Sequence, residues 1–134
     1  MSNGPDAPRA IVAAHGDLAA GLVSAVERIT GRGAMLSAMS NVALGADEME
    51  AAMRARIADG LHAIFTDLPS GSWTMATRRA MRGNDHVVLV TGVNLAALLE
   101  FVMRDDLAPA DAARACIDRA RGAISLVGGG GRAS

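Results

Sequence analysis

Ala10-Ile11-Val12-Ala13-Ala14-His15-Gly16-Asp17 is the stretch whose reading decides the fold. An apolar run this short reads as a buried strand, and the histidine, glycine and acidic residue that close it stand at the start of a helix. Open α/β sheets keep their chemistry at the carboxyl ends of their strands, so His15 is the first candidate for a reactive side chain.

Downstream, Leu18, Leu22, Val26 and Ile29 recur at helical spacing between Asp17 and Thr30, and Gly31-Arg32-Gly33 stops the pattern. Ala34 to Val42 alternates loosely and reads as a strand, although its methionines also suit a helix. Asp47 to Ile57 carries Met49, Ala52, Met53 and Ile57 among charged residues, the pattern of a helix laying one face on a sheet. Leu61 to Thr66 is a third strand, followed by the turn-rich loop Asp67-Leu68-Pro69-Ser70-Gly71-Ser72. Trp73 to Met81 is then a short helix with Ser72 as its expected N-cap. His86 to Thr91 is the clearest strand pattern of all. Asn94 is placed to cap a helix over Leu95 to Arg104, and a last helix runs from Pro109 or Ala110 to Arg121. Ile124 to Val127 could form an edge strand before the glycine-rich end. The division expected is a leader over 1–9, one domain over 10–127 and a tail over 128–134.

Strands alternating with helices imply parallel pairing, because only a crossover can join parallel neighbours. The expected fold is a three-layer α/β sandwich with a mainly parallel sheet of about four strands in the order 2-1-3-4, as right-handed crossovers favour. That order makes the first and third strands neighbours. The loops carrying His15 and Asp67 would then open side by side at the switch point. A carboxylate that accepts the proton of one imidazole nitrogen leaves the other nitrogen's lone pair free to attack and stabilises the imidazolium that forms. The N-terminus of the helix near Ser72 offers unpaired N–H groups and a positive dipole end, both of which favour phosphate. Together these features describe a phosphoryl acceptor.

The plainer reading stays open beside it. A lone histidine near a strand end is more often structural, and Asp17 and Asp67 could serve only as helix-flanking acids. His62 and His86 begin strands and belong at the opposite edge of the sheet. Trp73 could be core or a pocket wall.

Composition narrows the classes. The chain has 134 residues, with 51% hydrophobic and 20% charged, which is enough apolar material for one packed core. A formal net charge of -1 without a basic block gives no footprint for nucleic acid or a membrane surface. No apolar run approaches the roughly 18 residues of a membrane span. No lysine is present, which excludes Schiff-base chemistry, and no metal-ligand cluster, dinucleotide fingerprint or phosphate loop appears. Neither a metal nor another cofactor is expected. The single cysteine, Cys116, has no partner for an intrachain disulfide and reads as core in a reducing, cytoplasmic compartment.

Three motifs carry a resemblance: Ala14-His15-Gly16 after an apolar strand, Phe65-Thr66-Asp67-Leu68 followed by Ser70-Gly71-Ser72, and Thr91-Gly92-Val93-Asn94-Leu95 before an apolar helix. In this order, over about Ala10 to Val127, they resemble the enzyme IIA domain of the mannose/fructose/sorbose class of the bacterial phosphoenolpyruvate:sugar phosphotransferase system. The resemblance implies a phosphotransferase in which His15 takes a phosphoryl group from the carrier protein HPr and passes it to an enzyme IIB subunit of a sugar permease. It further implies that Asp67 orients His15, that Gly71 and Ser72 lie at the phosphate, and that the chain is a homodimer exchanging a strand around Ile124 to Val127. The wording of the second and third motifs leans toward hexosamine- or galactosamine-type members.

One departure stands out. Family members usually carry Gly-Gly-Ser/Thr-Pro in the loop after the aspartate, where this chain has Ser70-Gly71-Ser72-Trp73. Ser70 in place of glycine could restrict a positive-φ turn, and Trp73 in place of proline adds bulk at the site mouth, as a partner contact or as packing. Two other readings use the same residues: a regulatory module whose phosphorylation state another protein reads, and the phosphotransfer subunit of a dihydroxyacetone kinase. The Thr91 to Asn94 segment favours the mannose class over the latter.

Overall fold

The structure is a computed structural model that describes residues 8–130. The strands are β1 (Ala10–Ala14), β2 (Leu36–Ser40), β3 (Ala63–Thr66) and β4 (Val88–Val90). The helices are α1 (Leu18–Thr30), α2 (Ala46–Ala58), α3 (Ser72–Ala80), α4 (Leu95–Met103) and α5 (Pro109–Gly122). Residues 1–7 of the expected leader and 131–134 of the expected tail lie outside the described residues.

All strand pairs are parallel and the order is β2-β1-β3-β4, as expected. Handedness explains which helix covers which face. The path from β1 to β2 runs one way along the sheet and the paths to β3 and β4 run the other, so right-handed crossovers must lie on opposite faces. Accordingly α1 packs with α4 and α5 over Val12 and Phe65, whereas α2 and α3 pack over Ile11, Ala13 and Ile64. The result is three layers with the sheet in the middle.

Every residue of β1 is fully buried, which is why its sequence is an unbroken apolar run rather than an alternation. Its alanines let helices approach closely, and the larger side chains of Phe65, Phe101 and Trp73 fill the space on either side. Phe65 and Phe101 meet edge to face with centroids 5.2 Å apart. Gly31 ends α1 in the left-handed region at φ 74°, its N–H donating to the Glu27 carbonyl at 2.8 Å.

Several boundaries differ from expectation. β2 begins only at Leu36, after a 3₁₀ turn at Gly33–Met35, and ends at Ser40. β4, the clearest pattern in the sequence, is the short edge strand Val88–Val90, because its ladder reaches only as far as its one neighbour, Ala63 to Phe65. The expected edge strand at Ile124 to Val127 does not form in the single chain. Those residues pair with no strand, and Ile124, Leu126 and Val127 are 81%, 91% and 90% exposed.

Candidate functional site

β1 and β3 are paired with Ala13 beside Thr66, so the next residues of the two strands leave the sheet together at its carboxyl edge. His15 and Asp67 meet there. The Nδ1–H of His15 donates to Asp67 Oδ2 at 2.7 Å, and the His15 backbone N–H donates to the same oxygen at 3.0 Å. A carboxylate oxygen can only accept, so the ring proton sits on Nδ1 and Nε2 keeps its lone pair. The His15 side chain is 42% exposed and that of Asp67 only 9%. The imidazole is thus reachable, while the group that orients it is buried.

Burial by itself would push the Asp67 carboxyl up. The backbone N–H and the ring N–H of His15 outweigh it and hold the carboxyl below the ordinary carboxylate value. Asp67 is therefore ionised at neutral pH. Its other oxygen, Oδ1, is buried with no hydrogen bond among the described residues.

The loop Asp67 to Gly71 returns the chain to the start of α3 directly beside the ring. A Cβ placed on Gly71 would lie 3.1 Å from His15 Cε1 and 3.3 Å from Leu68 Cβ, tighter than ordinary contact. Glycine here is a matter of space, since its φ of -74° suits any residue. Gly71, not Ser72, occupies the N-cap, which corrects the expected cap by one residue: Gly71 has the extended backbone and Ser72 is the first helical residue. The first intrahelical bond runs from Met75 N–H to the Gly71 carbonyl at 3.0 Å. The N–H groups of Ser72, Trp73 and Thr74 precede it and have no intrahelical acceptor, and no side chain caps them. An anion bonded to His15 Nε2 would find these donors and the exposed Ser72 hydroxyl close by.

The structure corrects the expectation of a partner contact at Trp73. The indole is fully buried in the core formed by α2, α3 and the sheet face of Ile11, Ala13 and Ile64, so it is packing rather than surface. Its Nε1 and the Thr77 hydroxyl have no hydrogen-bond partner among the described residues. Ser70 does not take a positive φ; Ala43, at 64°, is the only non-glycine that does among the described residues. The bulk and strain anticipated at the mouth are therefore absent.

Two contributors were missed in the sequence. Asn41, at the end of β2, accepts the Gly16 N–H on Oδ1 at 3.1 Å and so holds the turn after His15. An asparagine one residue past a strand that flanks β1 was the available signal, obscured by extending that strand to Val42. The other is a pair of buried threonines, Thr66 and Thr74, whose hydroxyls lie 2.6 Å apart behind the Asp67 loop.

The third motif is structural. The Val93 N–H donates to the Thr66 carbonyl at 2.9 Å, and Asn94 caps α4 by accepting the Ala97 N–H at 2.9 Å while donating to the Ala120 carbonyl at 2.8 Å. His62 and His86 are exposed at the opposite edge of the sheet, their ring centroids 4.8 Å apart. Asp17 precedes α1 without capping it through its side chain. Cys116 is fully buried and its thiol is pushed up to about 11 by burial, leaving it inert. Among the described residues no group of His, Cys, Asp and Glu could hold a metal ion, and no helix is long and apolar enough to cross a membrane.

The protein is a parallel three-layer α/β domain with a histidine hydrogen-bonded to a buried aspartate at its switch point. The sequence matches the family described as PTS system fructose IIA component over residues 9–117. The chain belongs to that family, and the family carries a phosphotransfer role in phosphotransferase-system sugar uptake. The fold is shared with the phosphotransferase system component EIIA from Streptococcus agalactiae, at a TM-score of 0.78 and 19% identity over 88% of this chain and 95% of that one. It is shared likewise with the mannose/sorbose specific IIA subunit from Enterococcus faecalis, at 0.76 and 20% over 90% and 95%. A sigma-54 interaction domain protein from Enterococcus faecalis is more distant, at 0.61 and 15% over 75% and 79%. No curated protein matches the sequence.

Proposed function

We propose that His15 is a phosphoryl carrier: it accepts a phosphoryl group from phospho-HPr and passes it to the enzyme IIB subunit of a sugar permease. The observation that carries this is the 2.7 Å bond from His15 Nδ1 to Asp67, which leaves Nε2 as the free nucleophile. Nε2 attacks the phosphorus of the donor phosphohistidine, the new P–Nε2 bond forms as the donor's P–N bond breaks, and the donor ring recovers its electron pair. His15 becomes cationic, with its Nδ1 proton kept. Asp67, ionised and bonded to that proton, stabilises the charge without taking the proton. The unpaired N–H groups of Ser72, Trp73 and Thr74 and the Ser72 hydroxyl receive the phosphoryl oxygens. In the second transfer a nucleophilic side chain of the IIB subunit attacks the phosphorus, its new bond to phosphorus forms as the P–Nε2 bond breaks, and the electrons of that bond return to His15, so the carrier is regenerated.

These partners imply a cytoplasmic protein. The exposed Ile124, Leu126 and Val127 support a homodimer in which this segment pairs with the open edge of β4 in a second copy. The same exposed His15 would equally serve a second reading, in which a regulator reads its phosphorylation state. Acceptance of the phosphoryl group by a IIB subunit separates the two.

The test is intact-protein mass spectrometry at mildly alkaline pH after incubation with phosphoenolpyruvate, enzyme I and HPr. The wild type gains one phosphoryl group and His15→Ala gains none. A gain in His15→Ala, or none in the wild type, overturns the reading.

A further inference from the structure

We infer that Thr74, acting with Thr66, is a positioning residue for the phosphoryl-transfer site: its hydroxyl ties the loop that carries Asp67 and sets Gly71 beside the His15 ring. The Thr74 hydroxyl donates to the Leu68 carbonyl at 2.5 Å, which spends its only proton. The 2.6 Å contact with Thr66 therefore runs one way, from the Thr66 hydroxyl to the Thr74 oxygen. The chain Thr66 to Thr74 to Leu68 spans the end of β3, the first turn of α3 and the loop between them. Both threonines are fully buried.

Asp67 is tied to His15 by two N–H donors and Gly71 to α3 by the Met75 N–H, while the turn between them has few bonds of its own among the described residues. Its own backbone closes with one long bond, Gly71 N–H to the Leu68 carbonyl at 3.5 Å. The end of β3 is braced from the other side by the Val93 N–H on the Thr66 carbonyl at 2.9 Å. Asp67 lies between Thr66, braced on both sides, and Leu68, held by the Thr74 hydroxyl. These two anchors, with the His15 backbone N–H on Asp67 Oδ2 at 3.0 Å, set where the carboxylate meets His15 Nδ1, and the Leu68 anchor sets where Gly71 lies beside the ring. Without the hydroxyl, Leu68 and Gly71 can drift, and Asp67 between Thr66 and Leu68 drifts with them relative to the ring. Tautomer and donor alignment loosen together.

The inference rests on the carrier reading of His15, but one of its readouts does not. Thr74→Val keeps the shape and removes the hydroxyl, and Thr74→Ser keeps the hydroxyl and removes a methyl. The first measurement is the imidazole ¹⁵N spectrum of unphosphorylated His15. The wild type and Thr74→Ser show the Nδ1–H tautomer at neutral pH, and Thr74→Val shows a mixture of tautomers. The second is the rate of phosphoryl transfer from phospho-HPr, which falls on the order of tenfold to a hundredfold in Thr74→Val and recovers in Thr74→Ser. A folded Thr74→Val with wild-type tautomer and rate overturns the inference, as does equal loss in the valine and serine variants. Should Thr74→Val not fold, Thr66→Val takes its place: it removes the donor that aims the Thr74 hydroxyl at Leu68, and a wild-type spectrum and rate there overturn it equally. A tautomer change in a protein whose wild type accepts no phosphoryl group would leave the positioning intact and remove the carrier reading instead.

Discussion

At the scale of single residues the site turns on one oxygen. Asp67 Oδ2 accepts two N–H donors of His15, and against the upward push of burial they hold the carboxyl below its ordinary value. A carboxyl held below its ordinary value of 3.8 stabilises the fold at pH above that value, and the contribution disappears as pH falls through the folded value. Asp67→Asn removes this linkage. The expected result in denaturant unfolding is a wild type that exceeds Asp67→Asn in stability near neutral pH, with the gap closing in acid below about pH 4. Gly71 is the second point of leverage. Gly71→Ala puts a methyl 3.1 Å from His15 Cε1, so the ring must turn away. The transfer rate from phospho-HPr should drop about tenfold. Thermal unfolding should report a loss of about 1 kcal/mol, since glycine is a much better N-cap than alanine and the methyl also crowds Leu68 Cβ at 3.3 Å.

Among the elements, α3 is the one whose role differs most from its sequence impression. Its buried side carries Trp73, Thr74, Ala76, Thr77 and Ala80, so the helix that would offer its N-terminus to phosphate is also a core element packed on α2. Trp73 is the largest fully buried side chain in the protein. Trp73→Ala should cost about 3–5 kcal/mol by denaturant unfolding. Trp73→Phe should recover much of that, because it restores most of the volume and removes the unpartnered Nε1. As the only tryptophan, Trp73 also reports on this core. Its emission should be that of an apolar site in the native protein and shift to the red on unfolding. Binding of HPr should leave it unchanged, whereas a contact residue would respond.

For the whole molecule, assembly falls on features that the single chain leaves unmatched: the outer edges of β2 and β4, of which β4 is the one packed near the end of α5, and the apolar segment after α5. An unpaired strand edge and an exposed Ile-Ser-Leu-Val segment suit each other. If the proposed strand exchange forms, replacing Ile124, Leu126 and Val127 with serine should convert a wild-type dimer to a monomer in light scattering coupled to size exclusion, with little change in the core helices. A wild type that is already monomeric at tens of micromolar would dismiss the exchange. The active edges of the two copies would remain free in such a dimer, because His15 and Asp67 lie between β1 and β3, not on β4.

Alternation of strand-like and helix-like segments, together with the handedness of crossovers, was sufficient to derive the parallel 2-1-3-4 sheet, and the sheet order was sufficient to bring His15 and Asp67 together. Both inferences work from the sequence because they use local periodicity and a chirality rule that holds regardless of packing detail. Asn94 as the α4 cap was legible for the same reason, since a cap is a short-range interaction. What only the tertiary structure decided depends on contacts between distant segments. The loop conformation made Gly71 the N-cap in place of Ser72, and the α2–α3 interface took Trp73 into the core. Chain crossings brought Asn41 to Gly16 and Thr74 to Thr66, while the path of the chain after α5 left Ile124 to Val127 unpaired. Periodicity states that a side chain faces inward or outward along its own element; which neighbour it meets there is set by the register and docking of the whole fold.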